Sequence, residues 1–208
     1  MKNKLPTLLS CIVILVGLIV IIGWFMDISL LKSIMPNWVT MKFSTAVSFV
    51  LSGILVLTLS VYQEKKLSIT PVIILMCSTF LLMIKATLFF SIVVGLNTGI
   101  ETLFVKEAAG AVQTTSQGRA SLVTMLNFVL IAIVGILWLA NQEKTTLATQ
   151  TIGGIITLVG VVASIGYGLN MPALYYSFPD VSTAMAIHTA LLFILLGIGL
   201  LHLPKNSA

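Results

Sequence analysis

Met41-Lys42-Phe43-Ser44-Thr45-Ala46-Val47-Ser48-Phe49-Val50-Leu51-Ser52-Gly53 returns near the end of the chain as Met185-Ala186-Ile187-His188-Thr189-Ala190-Leu191-Leu192-Phe193-Ile194-Leu195-Leu196-Gly197. Methionine, Thr-Ala, phenylalanine, the following leucine and the glycine recur at the same offsets. A weaker copy, Ala120-Ser121-Leu122-Val123-Thr124-Met125-Leu126-Asn127-Phe128-Val129-Leu130-Ile131-Ala132, keeps the threonine, the phenylalanine and the leucine. Each stretch enters polar and leaves apolar. Self-similarity of this kind marks a chain built from repeated supersecondary units, and three copies predict triplication.

The surrounding sequence says what solvent those units face. Of 208 residues, 58% are hydrophobic and only 8% charged, against about 25% charged in a soluble domain. Mean hydropathy is +1.13. Such a chain uses lipid as its solvent, and its length suits about six spans of ~20 residues. The expected fold is an all-α membrane protein, a single domain over 1–208 with six transmembrane helices arranged as three repeated hairpins. The repeat units cover about 8–62, 71–140 and 147–203.

The spans read off as Leu8–Met26, Met41–Tyr62, 71–94, Ser121–Ala140, Leu147–Tyr167 and Thr183–Leu203. The first is too long for the apolar core of a signal peptide, and Trp24-Phe25-Met26-Asp27 is a poor cleavage site. Trp24 is expected in the interfacial belt. Ser29 to Met35 is expected to form a short turn or helix before Pro36. The odd-numbered helices share an exit pattern, Ile22-Gly23-Trp24, Val94-Gly95-Leu96 and Ile165-Gly166-Tyr167. Cytoplasmic loops carry the Lys/Arg excess. Lys2, Lys4, Lys65, Lys66, Lys144 and Lys205 fall on one side; Lys32, Lys42, Lys106 and Arg119 fall on the other. Both termini are therefore expected in the cytoplasm, with the longer loops outside.

The net charge of +5 is scattered singly and indicates no nucleic-acid surface. Cys11 and Cys77 sit in apolar runs and read as buried thiols, with no metal-ligand spacing around them. No phosphate loop, nucleophile elbow or paired carboxylate appears, so no catalysis is expected. Asp27, Glu64, Glu101, Glu107, Glu143 and Asp180 all lie in loops or at helix ends. The segment Glu101 to Lys106 reads as a solvated face, and Tyr167, Tyr175 and Tyr176 as belt aromatics or a lid.

The polar residues of the repeats cluster at one depth. They are Ser44, Thr45 and Ser48 in the first copy, Thr124 and Asn127 in the second, and His188 and Thr189 in the third. Converging, they would make a polar cup in the outer half of the bundle. Whether the hairpins close round an axis or line up in sequence order is left open. Lys85 is the sharpest anomaly, because a mid-membrane lysine costs roughly 2.5–3.5 kcal/mol on insertion scales. It either snorkels to a loop carbonyl or serine, or binds an anionic or carbonyl-bearing ligand together with His188. A retinal-type Schiff base lacks an acidic counter-ion in any span. His188 also suits haem or quinone, although His202 lies about 21 Å further along the same helix and cannot share its iron.

The motif Met-x-x-[Asn/Ser/His]-Thr-Ala-x-x-Phe-x-Leu-x-Gly, following a helix that ends in Gly-aromatic and a short outer loop, resembles the multi-span N-terminal sensory regions of certain bacterial sensor histidine kinases and diguanylate cyclases. The resemblance implies a sensor of the bacterial inner membrane, feeding a cytoplasmic signalling domain or partner protein. It departs from that pattern in stopping soon after the sixth span. The expected function is thus a non-catalytic sensory or ligand-binding module in the lipid bilayer. Its ligand, a small molecule, lipid or quinone, would sit near Lys85, Asn127, His188, Ser44, Ser48, Thr124 and Thr189. The alternatives are a membrane redox subunit holding haem or quinone, a small transporter or channel subunit, and a structural assembly subunit. The glycine-rich fifth helix offers a surface for a homodimer.

Overall fold

A computed structural model describes residues 4–62, 68–95, 99, 105, 107, 111–114, 117–141, 145–177 and 182–203. Among them are seven α-helices and no strand. The helices are α1 (Leu5–Phe25), α2 (Ser29–Lys32), α3 (Phe43–Tyr62), α4 (Thr70–Val94), α5 (Leu122–Ala140), α6 (Thr146–Gly168) and α7 (Ile187–Leu201), with a 3₁₀ turn at Pro172–Leu174. An all-helical solution is what the solvent requires. Lipid supplies no partner for backbone N–H and C=O groups, and a helix satisfies them within itself. Five helices, α1, α3, α4, α5 and α6, are long and apolar enough to cross a bilayer.

The sixth expected span is shorter than the sequence suggested. Ser182 to Ala186 are not helical, and α7 has 15 residues, about 22 Å of helix. The lead-in is buried and its backbone is bonded outside any helix, Ala184 N–H to Gln113 O at 3.1 Å and Met185 N–H to Tyr175 O at 2.8 Å. Pairing of this kind lets extended backbone exist at depth. The second span starts late for the same reason. Met41 N–H donates to Lys32 O at 2.9 Å and the helix opens at Phe43.

The helices pack as adjacent pairs, α1 on α3, α4 on α5 and α6 on α7. The pairs then meet through α3 on α4, α5 on α6 and α7 on α1, so the bundle closes into a ring. The three helices that carry the recurring stretch, α3, α5 and α7, lie inward, and each begins at the third residue of its copy. At the centre, the recurring phenylalanines Phe49, Phe128 and Phe193 are fully buried. Their ring centroids stand 4.8, 5.0 and 5.0 Å apart, in tilted and edge-on arrangements. Such aromatic geometries add roughly 0.5–1.5 kcal/mol per pair beyond burial. The outer helices α1, α4 and α6 bury only 28, 33 and 39% of their most apolar windows, against 56 and 50% for α3 and α5. Their free faces present Leu8, Leu15 and Leu18, Phe80, Met83 and Phe90, and Leu158 and Ile165. Cys11, expected to be buried, is exposed on that surface, whereas Cys77 is buried.

The first and last pairs make matching contacts at matching positions. Trp24 Nε1 donates to Met41 O at 2.8 Å and Tyr167 OH donates to Met185 O at 2.9 Å. Both aromatics are buried and point inward, so neither presents its ring to lipid. Tyr167 stacks on Tyr175, with centroids 4.0 Å apart. Asp27 and Asn170, just beyond the helix ends, both take the left-handed conformation at φ 53°. Gly17 and Gly160 let the paired backbones close in, because an added Cβ would stand 3.1 Å from Ala46 O in one case and 2.5 Å from Ala190 O in the other.

Gly160 and Gly154 make a test pair on one helix. A methyl at Gly160 meets the α7 backbone, whereas one at Gly154 meets nothing within 4 Å. Gly160→Ala is expected to destabilise the bundle by about 1–3 kcal/mol, the usual cost of overpacking. Gly154→Ala is expected to stay within about 0.5 kcal/mol of the parent, as surface substitutions do. Thermal unfolding in nanodiscs compares them.

Candidate functional site

Lys85 sits on the inward face of α4 and is completely buried. Its Nζ donates to the carbonyl of Ser44 at 3.0 Å and stands 4.9 Å over the Phe128 ring. The bond to a carbonyl agrees with one expectation for this residue; the absence of any exposure rules out snorkelling. An ammonium has three donors, and the Ser44 carbonyl takes one. The ring face attracts a cation but accepts no ordinary hydrogen bond.

On Lys85's own helix and the two beside it, several buried polar atoms are short of partners. Among the described residues, Ser44 Oγ, Thr45 Oγ1, Ser52 Oγ, Ser78 Oγ and Asn127 Nδ2 have no hydrogen-bond partner. A buried polar group left unpaired costs about 1–3 kcal/mol, and several in one region call for a ligand or water that completes them. These side chains come from α3, α4 and α5. Asn127 immediately precedes the phenylalanine under Lys85. Ser78 reaches the α5 backbone at Gly135, where an added Cβ would lie 2.2 Å from its Oγ. Ser52 and Ser78 belong to the half nearer the termini. That half also buries Ser60, whose Oγ lies 3.0 Å from Thr7 Oγ1.

The residues expected to form one cup are divided among several tasks. Lys85, Ser44 and Ser48 converge, because Ser48 Oγ donates to the same Ser44 carbonyl at 2.7 Å. Thr124 serves the α5 cap instead. Its N–H donates to Ser121 Oγ at 3.0 Å and its Oγ1 accepts from that hydroxyl at 2.7 Å, the usual N-cap arrangement. Thr189 is buried on α7. His188 ties α7 to the first hairpin, with Nε2 donating to Lys32 O at 3.0 Å. That bond requires the proton on Nε2 and leaves Nδ1 buried without a partner. Lys85 and His188 are thus held by different carbonyls, and no contact joins them. His202, just past the far end of α7, is exposed and bonded to Ile198 O. No group of three or more His, Cys, Asp or Glu that could hold a metal occurs among the described residues.

A second polar cluster lies above the helices and was not anticipated. Lys42 and Glu107 form a buried ion pair, their side chains 3% and 4% exposed. The carboxylate also accepts from Thr40 Oγ1 at 3.0 Å and from the Gly118 N–H at 2.8 Å, while Lys42 Nζ donates to Thr114 Oγ1 at 2.8 Å. Burial holds the Lys42 ammonium below its usual range, and the charge of Glu107 opposes that shift. The clue in the sequence was slight. Position 42 is lysine where the other copies carry Ser121 and Ala186. The segment Glu101 to Lys106 lies largely outside the described residues.

No protein-family model, no curated protein and no solved structure matches this chain. The reading of its function rests on its own residues.

Glu107→Gln leaves a buried ammonium facing a neutral amide. Breaking a buried pair from one side costs about 3–5 kcal/mol, and a loss of that order is expected in the unfolding free energy. The double variant Lys42→Met with Glu107→Leu removes both charges and is expected to recover most of it, as hydrophobic replacement of a buried pair often does. Equilibrium unfolding of the three proteins in one lipid provides the comparison.

Proposed function

We propose that this chain is a non-catalytic sensory module of the bacterial inner membrane. It binds a small acceptor-bearing ligand at Lys85 and signals to a cytoplasmic output domain or partner. The observation that carries the reading is the completely buried Lys85, with one of three donors used and the unpaired Asn127 amide and Ser44 and Thr45 hydroxyls on the neighbouring helices. The ammonium and the Asn127 Nδ2 supply donors and the hydroxyls can turn to donate as well, a set that suits a carboxylate, a carbonyl or a phosphate. Ligand binding there bears on α3, α4 and α5 together, and a signal arises if two arrangements of these helices bind it unequally.

In this reading the chain makes six crossings as three repeated hairpins, with both termini cytoplasmic. The matched contacts of Trp24 and Tyr167 support the repeat, and so does the meeting of Phe49, Phe128 and Phe193. α7 with its paired lead-in makes the sixth crossing, and the bias of six basic residues against four sets the orientation. The resemblance of the recurring motif to sensor regions of histidine kinases and diguanylate cyclases agrees with signalling.

A transport role is the second reading. Ser52 and Ser78 favour it, because they extend the unpaired polar atoms toward the terminal half. The phenylalanine triad closes the central axis, so such a path would run between α3, α4 and α5.

The test replaces Lys85 by methionine, which keeps the length and removes the donors. In nanodiscs, wild type is expected to gain thermal stability with short-chain carboxylates or inorganic phosphate, and Lys85→Met to need at least tenfold more of the same compound. Without ligand, Lys85→Met is expected to be about 1–3 kcal/mol more stable, because an incompletely satisfied buried amine is gone. A wild type that responds to none of these compounds, or a Lys85→Met protein that responds equally, overturns the site. Proton flux into liposomes, abolished by Ser78→Leu, would favour transport.

A further inference from the structure

The ring has three seams, α3–α4, α5–α6 and α7–α1. The fourth residue of the recurring stretch stands at each one. It is Ser44 in the first, Val123 in the second and His188 in the third. Two seams are locked by a polar bond at this residue. Lys85 on α4 donates to the Ser44 carbonyl across α3–α4. His188 on α7 donates to the Lys32 carbonyl at the end of α2, beside the α7–α1 seam.

Val123 offers only hydrocarbon, and the α5–α6 seam holds a groove of about 270 Å³. Val123 and Ser121 line one side, Val159 and Val162 the other, and Tyr175 and Ser182 the loop end. An apolar cavity of about 150 Å³ holds one benzene, so this groove holds a ring and the start of a chain. Val162 and Leu158 are 37% and 63% exposed on the outer surface of the bundle, which gives a tail a way into lipid.

The locked seam defines what the open one lacks. Lys32 O accepts two bonds, from Met41 N–H and from His188 Nε2–H. Tyr175 O is its counterpart in the last hairpin and accepts from Met185 N–H. A carbonyl has two lone pairs, and Val123 cannot supply the second donor. Ser121 Oγ, already donating to Thr124 Oγ1 and accepting from Thr124 N–H, also keeps one lone pair. The groove therefore offers the Tyr175 carbonyl and Ser121 Oγ as acceptors at its loop end, with the Tyr175 and Ser177 side chains beside them, and hydrocarbon beyond. Among the described residues that line it none is charged, so the lining they form suits a neutral head.

We infer that the α5–α6 groove binds a neutral amphiphile whose head is a hydroxyl-bearing ring and whose apolar tail leaves past Val162 into the bilayer, the ring O–H taking the place that the His188 imidazole fills in the α7–α1 seam. A membrane quinol has this chemistry, and so does a tailed phenol. The inference rests on the three-hairpin reading and not on the Lys85 site, so either can fail alone.

The experiment uses the full chain in quinone-free phosphatidylcholine nanodiscs, titrated with ubiquinol-2, with ubiquinone-2 and with 4-nonylphenol. Binding is read by thermal shift, with bound molecules counted by native mass spectrometry. One ubiquinol is expected per chain, bound at least tenfold more tightly than ubiquinone, which has acceptors and no ring O–H. Nonylphenol binding with ubiquinol identifies the phenolic donor as the determinant; ubiquinol alone narrows the occupant to a quinol. Val123→His supplies the missing imidazole and is expected to weaken ubiquinol binding at least tenfold. Val162→Trp, at a lipid-exposed position where folding is not at stake, is expected to do the same by blocking the tail. Equal affinity for quinol and quinone, or ubiquinol binding unchanged in Val162→Trp, overturns the proposal. A Lys85→Met protein that keeps ubiquinol binding separates this groove from the ligand site.

Discussion

Three phenylalanine rings in mutual contact fix this bundle. Phe49, Phe128 and Phe193 occupy the same place in their stretches, and each is wholly buried. Their meeting sets the depth and the rotation of α3, α5 and α7 at once. Once these helices are placed, their partners α1, α4 and α6 are left outside, and the apolar faces of those three meet lipid. In a bilayer, apolar burial does not drive helices together, so close packing and internal hydrogen bonds must do so. The aromatic triad supplies the first. The glycines that bring backbones to within a Cβ's reach supply more of it at Gly17 and Gly160.

Polar contacts then hold the rest in register. Trp24 and Tyr167 tie the ends of the outer helices to the carbonyls of Met41 and Met185. The Lys42–Glu107 pair ties the loop before α3 to the long connection between α4 and α5. Such a pair stabilises only while both charges and their hydrogen bonds are present. It therefore specifies where that loop docks more than it adds to stability.

Departures from the common pattern collect between the hairpins. Lys85 stands where hydrocarbon would be expected, His188 replaces a serine, and Val123 leaves a hollow. A protein that only needed to be a stable bundle would gain by making these positions alike and apolar. Lys85 and its unpaired neighbours forgo that stability, and it is on this cost that the proposed ligand site rests.

Much of this was legible in the sequence. Composition dictates a lipid-facing helical protein, because so few charges cannot cover a soluble surface. The recurring Met-to-Gly stretch marked the three phenylalanines that meet and set Asn127 and His188 apart from Ser44 and Ser48, while Lys85 stood out as a charge inside an apolar run. Tertiary structure alone decided the rest. That the hairpins close into a ring depends on α1 meeting α7, which are far apart in the chain. The inward turn of Trp24 and Tyr167 depends on carbonyls seventeen and eighteen residues away. The separation of Lys85 from His188, the docking of Glu107 on Lys42 and the hollow beside Val123 likewise follow from which faces meet. Periodicity reports a residue's depth and face on its own helix, and it carries no information about the neighbour that face will find.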